Sequence, residues 1–289
     1  MTFKQLPDLK RRFAVSSITV LVVSSLLAFY TFLPVTIILV LCVAALAGIG
    51  VWEYARLAAA KNFDPSVKAM ILISMAEVFA FFAAHKHVVI PEFPALVLVI
   101  GAIIFFLLHF KGTSDALANV AVEFFGVCYV SVPLSALLGI LYPLSHEGLV
   151  QDGRWWLVYL IVVTKITDVG AYFVGKLWGK RKLAPVLSPK KTVEGAIAGF
   201  ICAVGMSMFI SYLGKTIAPT AFNLPLLEAL FLGILIGVLA QVGDLAESLL
   251  KRDAVVKDSN TLPGLGGVLD MVDSLLLTAP IVYFYLKIV

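Results

Sequence analysis

Nine apolar runs divide this chain between residues 14 and 288, most of them near the roughly 20 residues that a helix needs to cross the hydrocarbon of a bilayer. They cover residues 14–32, 36–57, 70–84, 94–110, 120–141, 155–177, 193–213, 226–250 and 268–288, the third being short. Hydrophobic residues make up 61% of the chain and charged ones 14%, with a mean hydropathy of +1.02, so a water-facing globule has no room to hide them. The class dictated is all-α: a polytopic integral membrane bundle of about nine transmembrane helices.

Lysine and arginine placement sets the orientation. With a cytoplasmic N-terminus, that side collects Lys4, Lys10, Arg11 and Arg12; Arg56, Lys61 and Lys68; Lys111; Lys176, Lys180, Arg181, Lys182, Lys190 and Lys191; and Lys251, Arg252 and Lys257. The other side keeps Lys86, Arg154, Lys215 and Lys287, and Lys165 falls inside a run. This bias predicts an odd number of spans, N-terminus in and C-terminus out. Arg11-Arg12 has the look of an export signal, but no small-residue cleavage site follows and a second run begins almost at once, which favours an uncleaved first span. Cys42, Cys128 and Cys202 lie far apart in apolar runs without metal-ligand spacing and read as small hydrophobes. The net charge of +4 belongs to the cytoplasmic loops, where it suits anionic headgroups and does not imply nucleic acid.

Ionisable residues inside a span are costly and mark function by default. The first five runs hold few acids, Glu53, Glu77 and Glu123, whereas the last four hold Lys165, Asp168, Glu194, Asp244, Glu247, Asp270 and Asp273. Chemistry is therefore expected in residues 151–289, about four spans with basic cytoplasmic loops, and residues 1–150 read as a scaffold of about five spans. No fixed-period repeat or long polar linker separates the two parts.

In the eighth run Asp244, Glu247, Ser248 and Lys251 are spaced so that they share one helical face, a polar stripe on an apolar helix. The loop that follows carries Lys257, Asp258, Ser259 and Pro263-Gly264-Leu265-Gly266-Gly267. Glycines let backbone N–H groups approach an anion, and the start of the ninth helix adds donors of its own. Asp270 and Asp273, in the first turns of that helix, would repel a phosphate. A divalent cation bridging carboxylate and phosphate oxygens removes the conflict, as magnesium usually does; acids that merely complement the helix dipole are the plainer alternative.

A second cluster joins the sixth and seventh runs. Lys165 and Asp168, at i and i+3, either neutralise each other or touch substrate. Beyond them stand Gly170-Ala171-Tyr172, Gly175, Lys180-Arg181-Lys182 and Ser188-Pro189-Lys190-Lys191-Thr192, with Glu194-Gly195 opening the seventh run. Proline and hydroxyls can set a helix start, and Lys190 and Lys191 offer point charges to phosphates.

These segments resemble the phosphatidate cytidylyltransferase family, the CDP-diacylglycerol synthases. The family's C-terminal pattern runs S-x-x-K-R-x4-K-D, a short spacer, P-G-H-G-G, a hydrophobic residue, x-D-R and a further Asp. Ser248, Lys251, Arg252, Lys257, Asp258, Pro263, Gly264, Gly266, Gly267, Asp270 and Asp273 match it. Upstream, Asp168, Gly170, Ala171, Tyr172 and Gly175 match D-x-G-A-Y-x-x-G, and Ser188 to Thr192 with Glu194 and Gly195 match S-P-K-K-T-x-E-G. The likeness is specific over about residues 155–289. Leu265 stands where the family usually has His, Met271 where it has Arg, and the spacer Ser259 to Leu262 is one residue short.

The resemblance implies magnesium-dependent transfer of a cytidylyl group from CTP to phosphatidic acid, with one or two cations, giving CDP-diacylglycerol and pyrophosphate. The partners implied are CTP and membrane lipid, with no nucleic acid and a homodimer left open. The expected setting is the bacterial inner membrane, active site toward the cytoplasm. Asp244 and Asp270 are the expected metal ligands, with Asp273 and Asp258 behind them. Ser248, Lys251, Lys257 and Asp258 make up the expected catalytic group. Asp168, Ser188, Lys190, Lys191, Thr192, Arg252, Gly264, Gly266 and Gly267 are the expected substrate contacts. Three rivals remain: a secondary transporter, although its inverted repeat is not visible; a CDP-alcohol phosphotransferase, although Asp270-Met271-Val272-Asp273 lacks the D-x2-D-G-x2-A-R pattern; and a homologue impaired by Leu265 and Met271.

Overall fold

The computed structural model describes residues 21–110, 115–143, 151–256 and 267–288. Helix α1 covers residues 21–28, followed by α2 (Leu33–Ala60), α3 (Val67–His85), α4 (Phe93–His109), α5 (Ala116–Leu141) and α6 (Gly153–Trp178). A short ribbon, β1 (Lys182–Ala184) and β2 (Ser188–Thr192), leads to α7 (Val193–Ile217), α8 (Leu226–Asp253) and α9 (Val268–Ile288). The second to ninth apolar runs have each become one helix. Among the described residues, seven helices are long and apolar enough to cross a membrane: α2, α3 and α5 to α9. Helix α4 has 17 residues. At 1.5 Å per residue that is about 26 Å, short of the roughly 30 Å hydrocarbon core.

Local chemistry accounts for several helix starts. A proline occupies the first turn of α2 and of α4, where its missing N–H costs nothing. Asp152 caps α6 by accepting from Arg154 N at 3.0 Å, and Thr192 caps α7 by accepting from Gly195 N at 3.2 Å.

Two apolar cores fill the bundle. Val51, Met70, Val127 and Leu138 belong to the first, built by α2, α3 and α5; Tyr159, Leu160, Ala203 and Ile236 belong to the second, built by α6, α7 and α8. Helix α9 runs along the seam: its Leu269, Val272 and Leu276 enter the first core, and its Ala279, Val282 and Leu286 enter the second. Two scaffold acids are satisfied where they stand. Ser135 donates to Glu77 Oε2 at 2.8 Å, while Glu123 Oε1 accepts from Ser66 N at 2.6 Å and faces His109 Nε2 at 3.2 Å.

Helices α6 and α7 approach almost backbone to backbone, through small residues as membrane helices commonly do. A Cβ placed on Gly199 would lie 2.6 Å from the Thr167 carbonyl oxygen and 3.1 Å from Ala171 Cβ. Gly199→Ala therefore forces the helices apart, and overpacking of this kind costs about 1–3 kcal/mol. Its thermal midpoint in detergent is expected to fall; an unchanged midpoint would show that the contact is not tight.

The polar segment between α6 and α7, which reads from sequence as a loop, is instead an antiparallel ribbon with Lys182 opposite Thr192 and Ala184 opposite Ser188. Pro189 is tolerated because both strands are edges. Two ties fix the ribbon in place. The Glu194 carboxylate accepts from Lys180 N at 3.0 Å and Arg181 N at 3.2 Å, and Arg252 Nε of α8 donates to the Leu187 carbonyl at 3.1 Å.

Candidate active site

Where the ribbon meets α6, α7 and α8 there is a cavity of about 520 Å³. Asp168, Tyr172 and Lys176 line it from α6, Lys182 from β1, Lys190, Lys191 and Thr192 from β2, and Gln241 and Asp244 from α8. Lysines outnumber carboxylates on its wall, so it favours a multiply charged anion over a neutral ligand. The antiparallel ribbon is what brings Lys182, Lys190 and Lys191 to one place.

Asp244 is the pivot of this cavity. Its Oδ2 lies 2.6 Å from Lys191 Nζ. That buried ammonium is held by the Asp244 carboxylate, and no other described acceptor takes its remaining N–H donors. Asp168 sits 3.7 Å from Lys165 Nζ and within electrostatic reach of Asp244, Asp273 and Lys191. Lys165 also donates to the Met271 carbonyl at 3.3 Å, which ties α6 to α9.

A second group lies beside the cavity, between α8 and α9. The two helices cross at Gly243, where a Cβ would lie 2.5 Å from the Asp273 carbonyl oxygen. About two turns further along α8, Lys251 Nζ is 2.6 Å from Glu247 Oε2 and also bonds Asp270 Oδ1. The other Asp270 oxygen accepts from Gly267 N at 3.4 Å. Glu247 is only 2% exposed, and its Oε1 has no hydrogen-bond partner among the described residues. A buried carboxylate oxygen without a donor is costly and invites a cation.

The expected site residues fall into distinct places. Asp168, Lys190, Lys191, Thr192 and Asp244 share the cavity wall, and Lys251 and Asp270 are bonded next to it. Asp273 is 7% exposed and turned onto its own helix, accepting from Ser274 N at 2.5 Å and Ser274 Oγ at 2.9 Å. Ser248 is half-buried and does not line the cavity; Ser188 pairs with Ala184 in the ribbon, and Arg252 holds the ribbon's tip. Gly267 is buried at the start of α9. Lys257, Asp258, Gly264 and Gly266 lie outside the described residues. Among the described residues, no three Asp, Glu, His or Cys side chains form a ready-made metal cage.

Four contributors are absent from the sequence reading of the site. Lys176 and Lys182 read only as topology signals. Tyr129 of α5 has a buried hydroxyl without a partner among the described residues and feels the charges of Glu247 and Asp273. Glu53 of α2 accepts from Val268 N at 2.9 Å and Leu269 N at 2.7 Å. Those two donors were expected for a phosphate; a carboxylate of the scaffold already holds them. The available signal was the charge itself, an acid in the middle of an apolar helix.

A family model described as the cytidylyltransferase family matches residues 10–289. The chain is 34% identical to the phosphatidate cytidylyltransferase of Chlamydia pneumoniae over 287 residues, which is 97% of this chain and 92% of that protein. It is 32% identical to the phosphatidate cytidylyltransferase of Synechocystis over 265 residues, 84% of this chain and 86% of that one. With the phosphatidate cytidylyltransferase of Chlamydia muridarum it shares 42% identity over 181 residues, 62% of this chain and 58% of that protein.

Proposed function

The chain belongs to the cytidylyltransferase family, and from that premise we propose that it transfers the cytidylyl group of CTP to phosphatidic acid, releasing pyrophosphate and forming CDP-diacylglycerol. The observation that carries this reading is the lysine-lined cavity of about 520 Å³ beside Asp244, at the ribbon end of a membrane-spanning bundle. Headgroup phosphates and soluble nucleotides meet at that depth. The excess of Lys and Arg beside the ribbon supports a cytoplasmic placement of this end, in the inner membrane of a bacterium.

The chemistry asks little of acid–base catalysis. A phosphate oxygen of phosphatidic acid, already an anion, forms a bond to the α-phosphorus of CTP while the bond to the departing pyrophosphate breaks. Positioning and electrostatic stabilisation then dominate the rate. Lys176 of α6 and Lys182, Lys190 and Lys191 of the ribbon hold the triphosphate as point charges, with the ribbon setting the spacing of the last three. Asp244 orients Lys191 through their ion pair, and Lys251 keeps Glu247 and Asp270 together under the cavity.

The donor set suits magnesium, a hard cation that takes one or two carboxylates and completes its shell with water and substrate phosphates. One or two of the carboxylates Asp244, Glu247 and Asp270 would hold it, with substrate phosphates and water completing its shell and Asp273 behind them. When bound, the cation supplies charge neutralisation for the triphosphate and the leaving pyrophosphate.

Met271 packs against the first apolar core, so the side chain at this position serves the bundle interior. Purified protein in detergent with CTP, magnesium and phosphatidic acid is expected to release pyrophosphate only when the lipid is present. Absence of lipid-dependent release from the wild-type chain, with release appearing after Leu265→His and Met271→Arg, would mark it as an impaired homologue. Absence from both would remove the proposed reaction.

A further inference from the structure

Helix α9 begins without a side-chain cap of its own. Its N-terminal neighbour is Gly267, which has no oxygen to offer the first backbone donors of the helix, yet those donors are buried and need acceptors. Half of the usual reciprocal arrangement is present: the carboxylate of Asp270, three residues on, reaches back to Gly267 N at 3.4 Å. The other half comes from elsewhere in the chain. Glu53 of α2, 2% exposed, accepts from Val268 N at 2.9 Å through Oε1 and from Leu269 N at 2.7 Å through Oε2. The capping motif is thus split between residues more than 200 positions apart.

The geometry points to Glu53 as a positioning residue for the reaction, acting through the first turn of α9 to aim Asp270 at Lys251 and Glu247. Three features support a positioning role over general stabilisation. Both Glu53 oxygens are bonded to consecutive amides, a two-point hold that fixes the rotation of the turn as well as its height. Asp270 sits in that same turn, with one oxygen on Lys251 and the other on Gly267 N, so any rotation of the turn moves it off its partners. Glu53 itself lies on α2, against the first apolar core, and does not line the cavity. Its bonds to Val268 N and Leu269 N are a direct path from α2 to the turn that carries Asp270.

This inference rests on the reading that Asp270 takes part in cytidylyl transfer, and the experiment separates the two. Glu53→Gln keeps the size and one acceptor oxygen but presents an NH₂ group to one of the two amides. It is expected to lower kcat by about 10²-fold, the scale of loss from an ångström of misplacement. The KM for CTP should stay within about threefold, because the lysine cavity is untouched. Asp270→Asn serves as the reference and is expected to lose turnover too. A stabilising role alone would lower the thermal midpoint of Glu53→Gln and leave kcat per folded molecule unchanged, and that result overturns the inference. If Asp270→Asn turns over normally, the reading beneath it has failed, and Glu53 has nothing to position. Should Glu53→Gln not yield folded protein, Glu53→Asp takes its place. It withdraws the carboxylate by one carbon, and the same drop in kcat at constant KM is expected; wild-type kcat in that variant also overturns the inference.

Discussion

Asp244→Asn is expected to remove turnover, by on the order of 10³-fold, while leaving the bundle folded. Asparagine fills the same volume, so packing around α8 and the ribbon is preserved. What disappears is a negative charge 2.6 Å from Lys191 Nζ, on the wall of the cavity. The side chains of this pair are 33% and 24% exposed, so its contribution to stability is that of a partly solvated ion pair, about 1 kcal/mol or less. The effect on rate is of another size, because the carboxylate orients a lysine of the cavity and is a proposed ligand of the cation that would neutralise the reacting phosphates. Pyrophosphate release at saturating CTP, together with size exclusion in detergent, measures the two separately. Turnover within a few-fold of wild type would take Asp244 out of the reacting centre.

Lys251→Met has the opposite balance, with stability suffering at least as much as rate. Lys251 is the ammonium between Glu247 and Asp270, and its own side chain is 14% exposed. Removing one partner of a buried charge network leaves the others uncompensated, at a cost of about 3–5 kcal/mol. The expected result is a large fall in folded yield and in the denaturation midpoint. Adding Glu247→Gln should recover part of that stability, since one of the stranded charges is gone, without recovering turnover. The two substitutions share a network and should not be additive. A single Lys251→Met variant with a wild-type midpoint would mean that the carboxylates do not depend on this ammonium.

The helices were legible in the sequence because span length and apolar composition are local properties. The runs 193–213, 226–250 and 268–288 begin where α7, α8 and α9 begin, and the last also ends with its helix. The stripe Asp244, Glu247, Ser248 and Lys251 could be read for the same reason, since helical spacing alone decides which residues share a side. Partners across the fold were another matter. That Lys191 would meet Asp244, and Lys251 meet Asp270, depends on how the ribbon lies on α8 and how α8 crosses α9 at Gly243. No window of sequence contains that information. The ribbon itself was missed because Ser188-Pro189-Lys190-Lys191-Thr192 shows no apolar alternation and carries a proline. Its strand geometry comes from pairing with Lys182 and Ala184 and from the Glu194 and Arg252 ties.

Glu53 shows the limit most clearly. Polarity near residue 53 was visible, and so was the absence of a capping side chain before Val268, but nothing local connects them. The scaffold half reads as apolar support; in the structure one of its carboxylates completes the helix that carries Asp270.

The distance along the chain between these two points also bears on biogenesis. A ribosome adding about 5–20 residues per second makes Val268 some ~10–40 s after Glu53. During that interval α2 can insert and pack against α3 and α5, but the amides it will finally grip do not yet exist. Assembly of the acidic centre is therefore a late event, completed when the last helix slides into the seam between two bundles already in place. Until then Lys191 can already meet Asp244 and Lys251 can meet Glu247, but Asp270 and Asp273 are missing from the centre, so its last two carboxylates arrive only with the final helix.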